Sequence, residues 1–305
     1  VKNVGFIYDD IFLRHENPVG HPESSERLIC IINALKESGI WNSLIQIKPR
    51  KAGFEDISLV HTRDYIERIR KSGAGYLDPD TYFSEQTLDA ALYAAGAVIE
   101  ALQRCKAGEI ERAFCAVRPP GHHAEAGTAM GFCIFNNVAV GARYAQKIGY
   151  KKVFIIDFDV HHGNGTQHIF EEDETVYYFS THQYPHYPGT GKDTDRGRGK
   201  GEGFTYNVSM QSGAGNKDYL FVYQNILHDR VTRFAPDIIL VSAGYDIHKN
   251  DPLSGIRVSN EGIRGIVAGI LSCSTLPYVF VLEGGYDLAA LGDSVRFTIE
   301  AMLKD

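Results

Sequence analysis

The sequence predicts an α/β fold: a single domain with an open, mainly parallel sheet flanked by helices. Three observations carry this. Six short apolar runs rich in β-branched and aromatic residues recur along the 305 residues, longer segments of helical period lie between them, and polar residues begin where several runs stop.

Taken in order, Val4 to Tyr8 is the first apolar run, and Ser24 to Ser38 and Thr87 to Cys105 have helical period. Ala113 to Val117 is the second run, followed by a helix over Asn136 to Ile148. Val153 to Phe158 is the clearest candidate for a buried parallel strand, and Val176 to Ser180 is another. A helix over Asp218 to Arg233, a strand over Asp237 to Ala243, a helix over Asn260 to Ser272, a strand over Tyr278 to Glu283 and a helix over Leu288 to Leu303 complete the alternation. No repeat, linker or low-complexity tract divides the chain, so residues 1–305 read as one domain.

With 44% hydrophobic residues the chain can bury a large core. Its 31 basic and 38 acidic side chains leave a formal charge of −7, which argues against a nonspecific grip on nucleic acid or anionic membrane and favours a cationic or neutral partner. Cys30, Cys105, Cys115, Cys133 and Cys273 are odd in number and lack Cys-x-x-Cys spacing, so neither a disulfide framework nor a cysteine zinc site is expected. A reducing, cytoplasmic setting fits best. No apolar run is long enough for a membrane span.

In open α/β sheets, ligands sit beyond the carboxyl ends of the strands. Those ends here read Arg118-Pro-Pro-Gly-His-His123, Asp157 to Asn164, Thr181-His-Gln183, Gly244-Tyr-Asp246 and Gly284-Gly-Tyr286. In an extended segment Asp157, Asp159 and His161 share one face, so two or three can converge on one ion. Asp159 and His161 supply two ligands and Asp246 is the best third, a donor set suited to zinc or another divalent transition metal. His122 and His123 can accept and donate protons, with Asp157 and Asn164 to orient them, and Tyr286 can donate its hydroxyl to a polarised carbonyl. The glycine-rich stretch from Gly197 to Gly203 lacks a following helix start and reads as a flexible surface turn rather than a dinucleotide loop.

These residues, together with His21-Pro-Glu-Ser-Ser-Glu-Arg-Leu28, Gly131-Phe-Cys-Ile-Phe-Asn-Asn137, Asp157-Phe-Asp-Val-His-His-Gly-Asn-Gly-Thr-Gln167, Tyr187-Pro-Gly-Thr-Gly191 and Leu282-Glu-Gly-Gly-Tyr286, resemble the zinc-dependent histone deacetylase family of the arginase-deacetylase fold. Asn164 and the Leu282-Glu-Gly-Gly variant are more similar to its class II members. The resemblance implies that Asp159, His161 and Asp246 bind one zinc ion and that His123 serves as general base and acid. It implies that His122, held by Asp157, assists electrostatically, and that Tyr286 polarises the scissile carbonyl. Gly131, Phe132 and Tyr187 would line an acyl-lysine tunnel with Leu253 near its rim, Arg27 would lie behind the site, and Asp157 with Ser180 would match a structural potassium site. His162 is left without a chemical role.

The implied reaction is metal-assisted removal of acetyl or other acyl groups from lysine side chains. An acetylpolyamine or other small acyl-amine substrate is the alternative, which the net acidity favours and Leu253 at the rim opposes. The neutral partner Asn164 should make His123 less readily protonated. A two-metal guanidine hydrolase would need an acid at position 163, where the chain has glycine.

Overall fold

Runs such as Val153-Phe-Ile-Ile are apolar on both faces because both faces of the sheet are covered. In the computed structural model, which describes residues 2–304, every residue of the five strands central to the fold is buried. The main-sheet strands are β1 (Val4–Ile7), β2 (Ile45–Ile47), β5 (Arg112–Cys115), β6 (Val153–Asp157), β7 (Val176–Gln183), β8 (Thr205–Met210), β9 (Ile238–Ala243) and β10 (Tyr278–Leu282). Their order is β2-β1-β5-β10-β9-β6-β7-β8, all parallel, and a separate antiparallel pair joins β3 (Gly75–Tyr76) to β4 (Tyr82–Phe83).

The helices are α1 (Glu26–Glu37), α2 (Phe54–Ile57), α3 (Arg63–Arg70), α4 (Thr87–Lys106), α5 (Asn137–Lys147), α6 (Asn164–Phe170), α7 (Asn216–Phe221), α8 (Leu227–Phe234), α9 (Asn260–Ser272) and α10 (Leu288–Met302). Helices α1, α10, α9 and α7 pack in sequence as one layer, and α4 packs on α5 as another. Ala90, Ala94, Ala97 and Ala101 let α4 lie close to its neighbours, and Gly96 is obligatory there, because a Cβ would stand 1.9 Å from the Arg50 carbonyl. No helix among the described residues is long and apolar enough to cross a membrane.

The alternation expected from sequence holds, with four corrections. Strands β2 and β8 were not anticipated: β2 has only three residues, two of them exposed, and β8 alternates burial at the opposite edge. Thr181-His-Gln183 lies inside β7, which runs three residues past Ser180 because β8 continues to pair with it. The single helix over Asp218 to Arg233 is two helices joined by a π-helical turn at Val222–Ile226. The stretch from Gly197 to Gly203 is packed rather than free, since Cβ atoms at Gly197 and Gly201 would meet the Gly201 and Glu171 carbonyls at 2.2 and 2.3 Å.

Two stability predictions arise from the core. Phe154 is fully buried, stacked on Tyr177 at 4.7 Å and edge-on to Phe234 at 6.0 Å. Phe154→Ala should cost about 3–5 kcal/mol, read as a lower urea midpoint. His61 is buried, and its Nε2 accepts from the Asn136 N–H at the start of α5. Burial lowers its pKa from 6.5 to about 4, so folded His61 stays neutral where the unfolded chain takes a proton. Its stabilising contribution is therefore complete above pH 6.5 and lost as the pH falls toward 4. Between pH 7.5 and 5 the loss should be about 2 kcal/mol, and His61→Gln should remove that increment in urea titrations at the two pH values.

Candidate active site

Strands β5, β10, β9 and β6 are neighbours in the sheet, and their carboxyl ends point the same way. Residues 118–123, 283–286, 244–246 and 157–164, far apart in sequence, therefore meet at one edge.

Asp159, His161 and Asp246 are buried, and a ligand atom from each lies within 4.8 Å of the others. His161 Nδ1 stands 3.1 Å from both Asp159 Oδ1 and Asp246 Oδ2. Main-chain N–H groups hold the carboxylates: Gly284 donates to Asp159 Oδ2 at 2.7 Å, and Val160 donates to Asp246 Oδ1 at 2.9 Å. Two glycines make the room, since a Cβ at Gly244 would meet Asp159 Oδ2 at 2.0 Å and one at Gly284 would meet Asp246 Oδ2 at 2.2 Å. Burial, followed by the charge of Asp159, raises the Asp246 carboxyl to about 7. Burial also opposes charge on His161, yet the two carboxylates raise its imidazole to about 10. Two carboxylates and an imidazole nitrogen that converge in this way form a donor set for one divalent metal, and the oxygen and nitrogen donors fit zinc.

The two histidines of the Pro-Pro-Gly turn stand 4.1 Å apart, ring to ring, and find different partners. His122 Nδ1 lies 3.0 Å from Asp157 Oδ2, which also accepts from the Tyr178 hydroxyl at 3.1 Å. Burial works against protonation of His122, but Asp157, Asp159 and Glu283 overcome it and raise the pKa to about 10. His123 Nδ1 lies 2.8 Å from Asn164 Oδ1, so Nδ1 carries the proton and Nε2 is left as an acceptor. Its pKa falls well below 6.5, as expected, but for another reason. Burial and the charges on His122 and His161 are the causes, and the bond to Asn164 acts in the opposite direction.

Tyr286 follows β10 and faces Phe132 at 6.0 Å, with the Arg27 guanidinium 5.0 Å from its ring centre. Burial, with Asp246 and Asp159 adding to it against the opposing charge of Arg27, holds its phenol well above 10 as a proton donor. A cavity of 210 Å³ runs to this centre, lined by Gly131, Phe132, Tyr187, Leu253, His123 and Tyr286 among others. Gly131 and Phe132 both have left-handed backbones (φ 58° and 68°), and a Cβ at 131 would stand 2.4 Å from the His123 ring. The strained Phe132 turn lays its ring along the cavity wall.

Every site residue singled out from sequence lies at this edge, including Asp157 and Ser180, which are paired in register between β6 and β7. The Ser180 hydroxyl bonds His182 Nδ1 at 2.8 Å. Asn164 opens α6. His162 has a place after all: its ring nitrogens bond Thr190 Oγ1 at 2.7 Å and Gln167 Oε1 at 2.8 Å. Gly163 is required by space, because a Cβ would stand 2.3 Å from Asp157 Oδ2.

Sequence reasoning missed Asp80 and His186, which line the cavity, and Glu283. Glu283 is fully buried and accepts from the N–H groups of Gly121 and His122 at 2.7 and 3.2 Å and from Ser242 Oγ at 2.9 Å. Its position beside Gly284-Gly-Tyr286 was the available signal. It missed Glu23 too, which takes Arg118 and Arg27 as buried partners behind Tyr286.

A proton-accepting histidine, a phenol donor and a buried cluster fit for a metal, all facing one narrow cavity, are the parts of a hydrolase. The chain belongs to the histone deacetylase family, whose Histone deacetylase domain profile matches residues 21–302. A probable deacetylase of Archaeoglobus fulgidus is 39% identical over 292 residues, 93% of this chain and 81% of that protein. Histone deacetylase 5 of Arabidopsis thaliana is 37% identical over 327 residues, which cover 100% of this chain but 49% of that protein, so the chain spans about half of that plant relative. The crystal structure of the HDA15 HD domain superposes with a TM-score of 0.95 at 35% identity, over 99% of this chain and 91% of that one.

Proposed function

We propose that this protein is a zinc-dependent amidohydrolase that removes acetyl groups from lysine side chains. The observation that carries the reading is the single cavity that brings the free Nε2 of His123, the phenol of Tyr286 and the Asp159–His161–Asp246 cluster to one end. The aromatic walls at Phe132 and Tyr187 suit a linear, uncharged acyl-amide arm.

When bound by Asp159, His161 and Asp246, zinc would supply Lewis acidity for the amide carbonyl and for water. The chain's own groups do the rest. His123 Nε2 takes the proton of the attacking water and returns it to the departing amine. His122, kept charged by Asp157, places a fixed positive charge beside the reacting atoms, and Tyr286 donates to the carbonyl oxygen as negative charge develops there. A structural potassium ion beside Asp157 and Ser180 is a secondary proposal, supported by the pairing of these residues across two strands.

Asp80 at the cavity supports a second substrate reading, an acetylated polyamine, because its carboxylate can face a cationic amine. Hydrolysis of an acetyl-lysine peptide and of acetylspermidine, measured in parallel with zinc quantified and a chelator control, separates the two. Turnover of the peptide that chelation abolishes is the expected result. Preference for acetylspermidine would favour the second reading, and no turnover of either by the zinc-loaded protein would overturn both.

A further inference from the structure

The main-chain N–H of Tyr286 takes its partner from outside its own segment. Tyr286 follows Gly284 and Gly285, the latter at φ 118°, and lies between the end of β10 and the α10 N-cap Asp287, where neither strand nor helix bonds fix it. The carbonyls just before it are held, Gly284 by the Tyr245 N–H at 3.0 Å and Gly285 by Arg27 Nε at 2.7 Å, but the group that holds its own N–H comes from another loop. Asp251 Oδ2 accepts from the N–H of Tyr286 at 2.7 Å and from that of Asp287 at 3.3 Å, while Oδ1 accepts from the N–H of Leu253 at 3.0 Å. Leu253 is tied onward, since its carbonyl accepts from His186 Nε2 at 3.0 Å, and the His186 ring lies against that of His161 at 5.2 Å. One carboxylate therefore joins the cavity wall that bears the phenol to the cavity lining at Leu253 and, through His186, to the metal cluster.

The chemistry of that carboxylate is unusual for a simple loop tie. Asp251 is buried, and the donors on its carboxylate are the main-chain N–H groups of Tyr286, Asp287 and Leu253. Burial and the nearby Asp159 push its pKa up, and the three main-chain donors oppose this. A neutral side chain could tie one loop at less electrostatic cost, whereas a carboxylate can take donors from both sides at once.

We infer, on the reading of this site as an amide hydrolase, that Asp251 is a positioning residue: by holding the main chain of Tyr286 it keeps the phenol aimed at the substrate carbonyl while fixing the cavity lining at Leu253. Asparagine could keep its oxygen toward Tyr286 and Asp287, so the informative change is Asp251→Ala, which removes the acceptor from the N–H groups of Tyr286, Asp287 and Leu253 together. The expected result is a fall in kcat of about 10- to 100-fold, with KM and bound zinc little changed, because misplacement of the donor acts on the reacting geometry. In a Tyr286→Phe background the same change should cost less than about twofold, since the group through which Asp251 acts is already gone. Equal losses in both backgrounds would overturn the assignment and leave Asp251 a general structural tie. Amide hydrogen exchange in the peptide covering residues 283–288 gives a readout that needs no turnover: faster exchange there in Asp251→Ala, with β9 unaffected, is expected, and unchanged exchange would overturn the proposal. Should Asp251→Ala not accumulate as folded protein, Asp251→Glu, which keeps the charge but moves it by one methylene, is read in the same two assays. Inactivity of the wild-type protein toward both acetyl substrates would count against the hydrolase reading and against any positioning role in it, while the exchange assay would still decide the anchoring contact.

Discussion

Tyr286→Phe is expected to lower kcat by about 10²- to 10³-fold while leaving bound zinc unchanged, the loss typical of removing one donor to a developing oxyanion. The ring itself is held by Phe132 on one side and the Arg27 guanidinium on the other, and both contacts survive the substitution. What disappears is a hydroxyl that burial, with Asp246 and Asp159 adding to it, keeps protonated. Steady-state kinetics on an acetyl-lysine peptide, with metal analysis of the same samples, checks the prediction. A comparable loss of zinc would show that the tyrosine serves to hold the cluster together instead.

Asp246→Asn should have the larger effect, stripping the metal on dialysis and lowering kcat/KM by at least about 10³-fold, since the several kcal/mol that a Lewis acid contributes disappear with it. Asparagine can still accept from the Val160 N–H through its carbonyl oxygen, so the loop from β9 keeps its anchor and the protein should fold. Only the second oxygen, the one 3.1 Å from His161 Nδ1, is replaced by an uncharged group. Metal content and turnover measured before and after chelation check this. Full activity in the metal-free variant would remove the metal from the proposed function.

The strands that carry the site were legible because each is buried on both faces and so reads as an unbroken apolar run. The unanticipated β2 and β8 are edge strands with half-exposed, mixed sequences that leave no such signature. The break at Val222–Ile226 was invisible for a related reason: its residues keep a helical apolar period through the π turn. Asp159, His161 and Asp246 were found because they follow strand ends, whereas Asp251, Glu283 and Asp80 were not. Asp251 lies in a loop beyond Asp246, and both Asp251 and Glu283 act on main-chain N–H groups of distant segments.

By itself the sequence determined the α/β class, the strand ends that bear chemistry and the residue types for a metal-assisted hydrolytic site, because apolar period and donor chemistry are local properties. Only the tertiary structure decided how the labour is divided among those residues. The order β5-β10-β9-β6 sets which ends are neighbours. Burial and neighbouring charge then shift His122 up and His123 down, although the two are adjacent in sequence and identical in type. A pKa and a hydrogen-bond partner depend on what the fold brings within a few ångströms, and that information is spread over the whole chain.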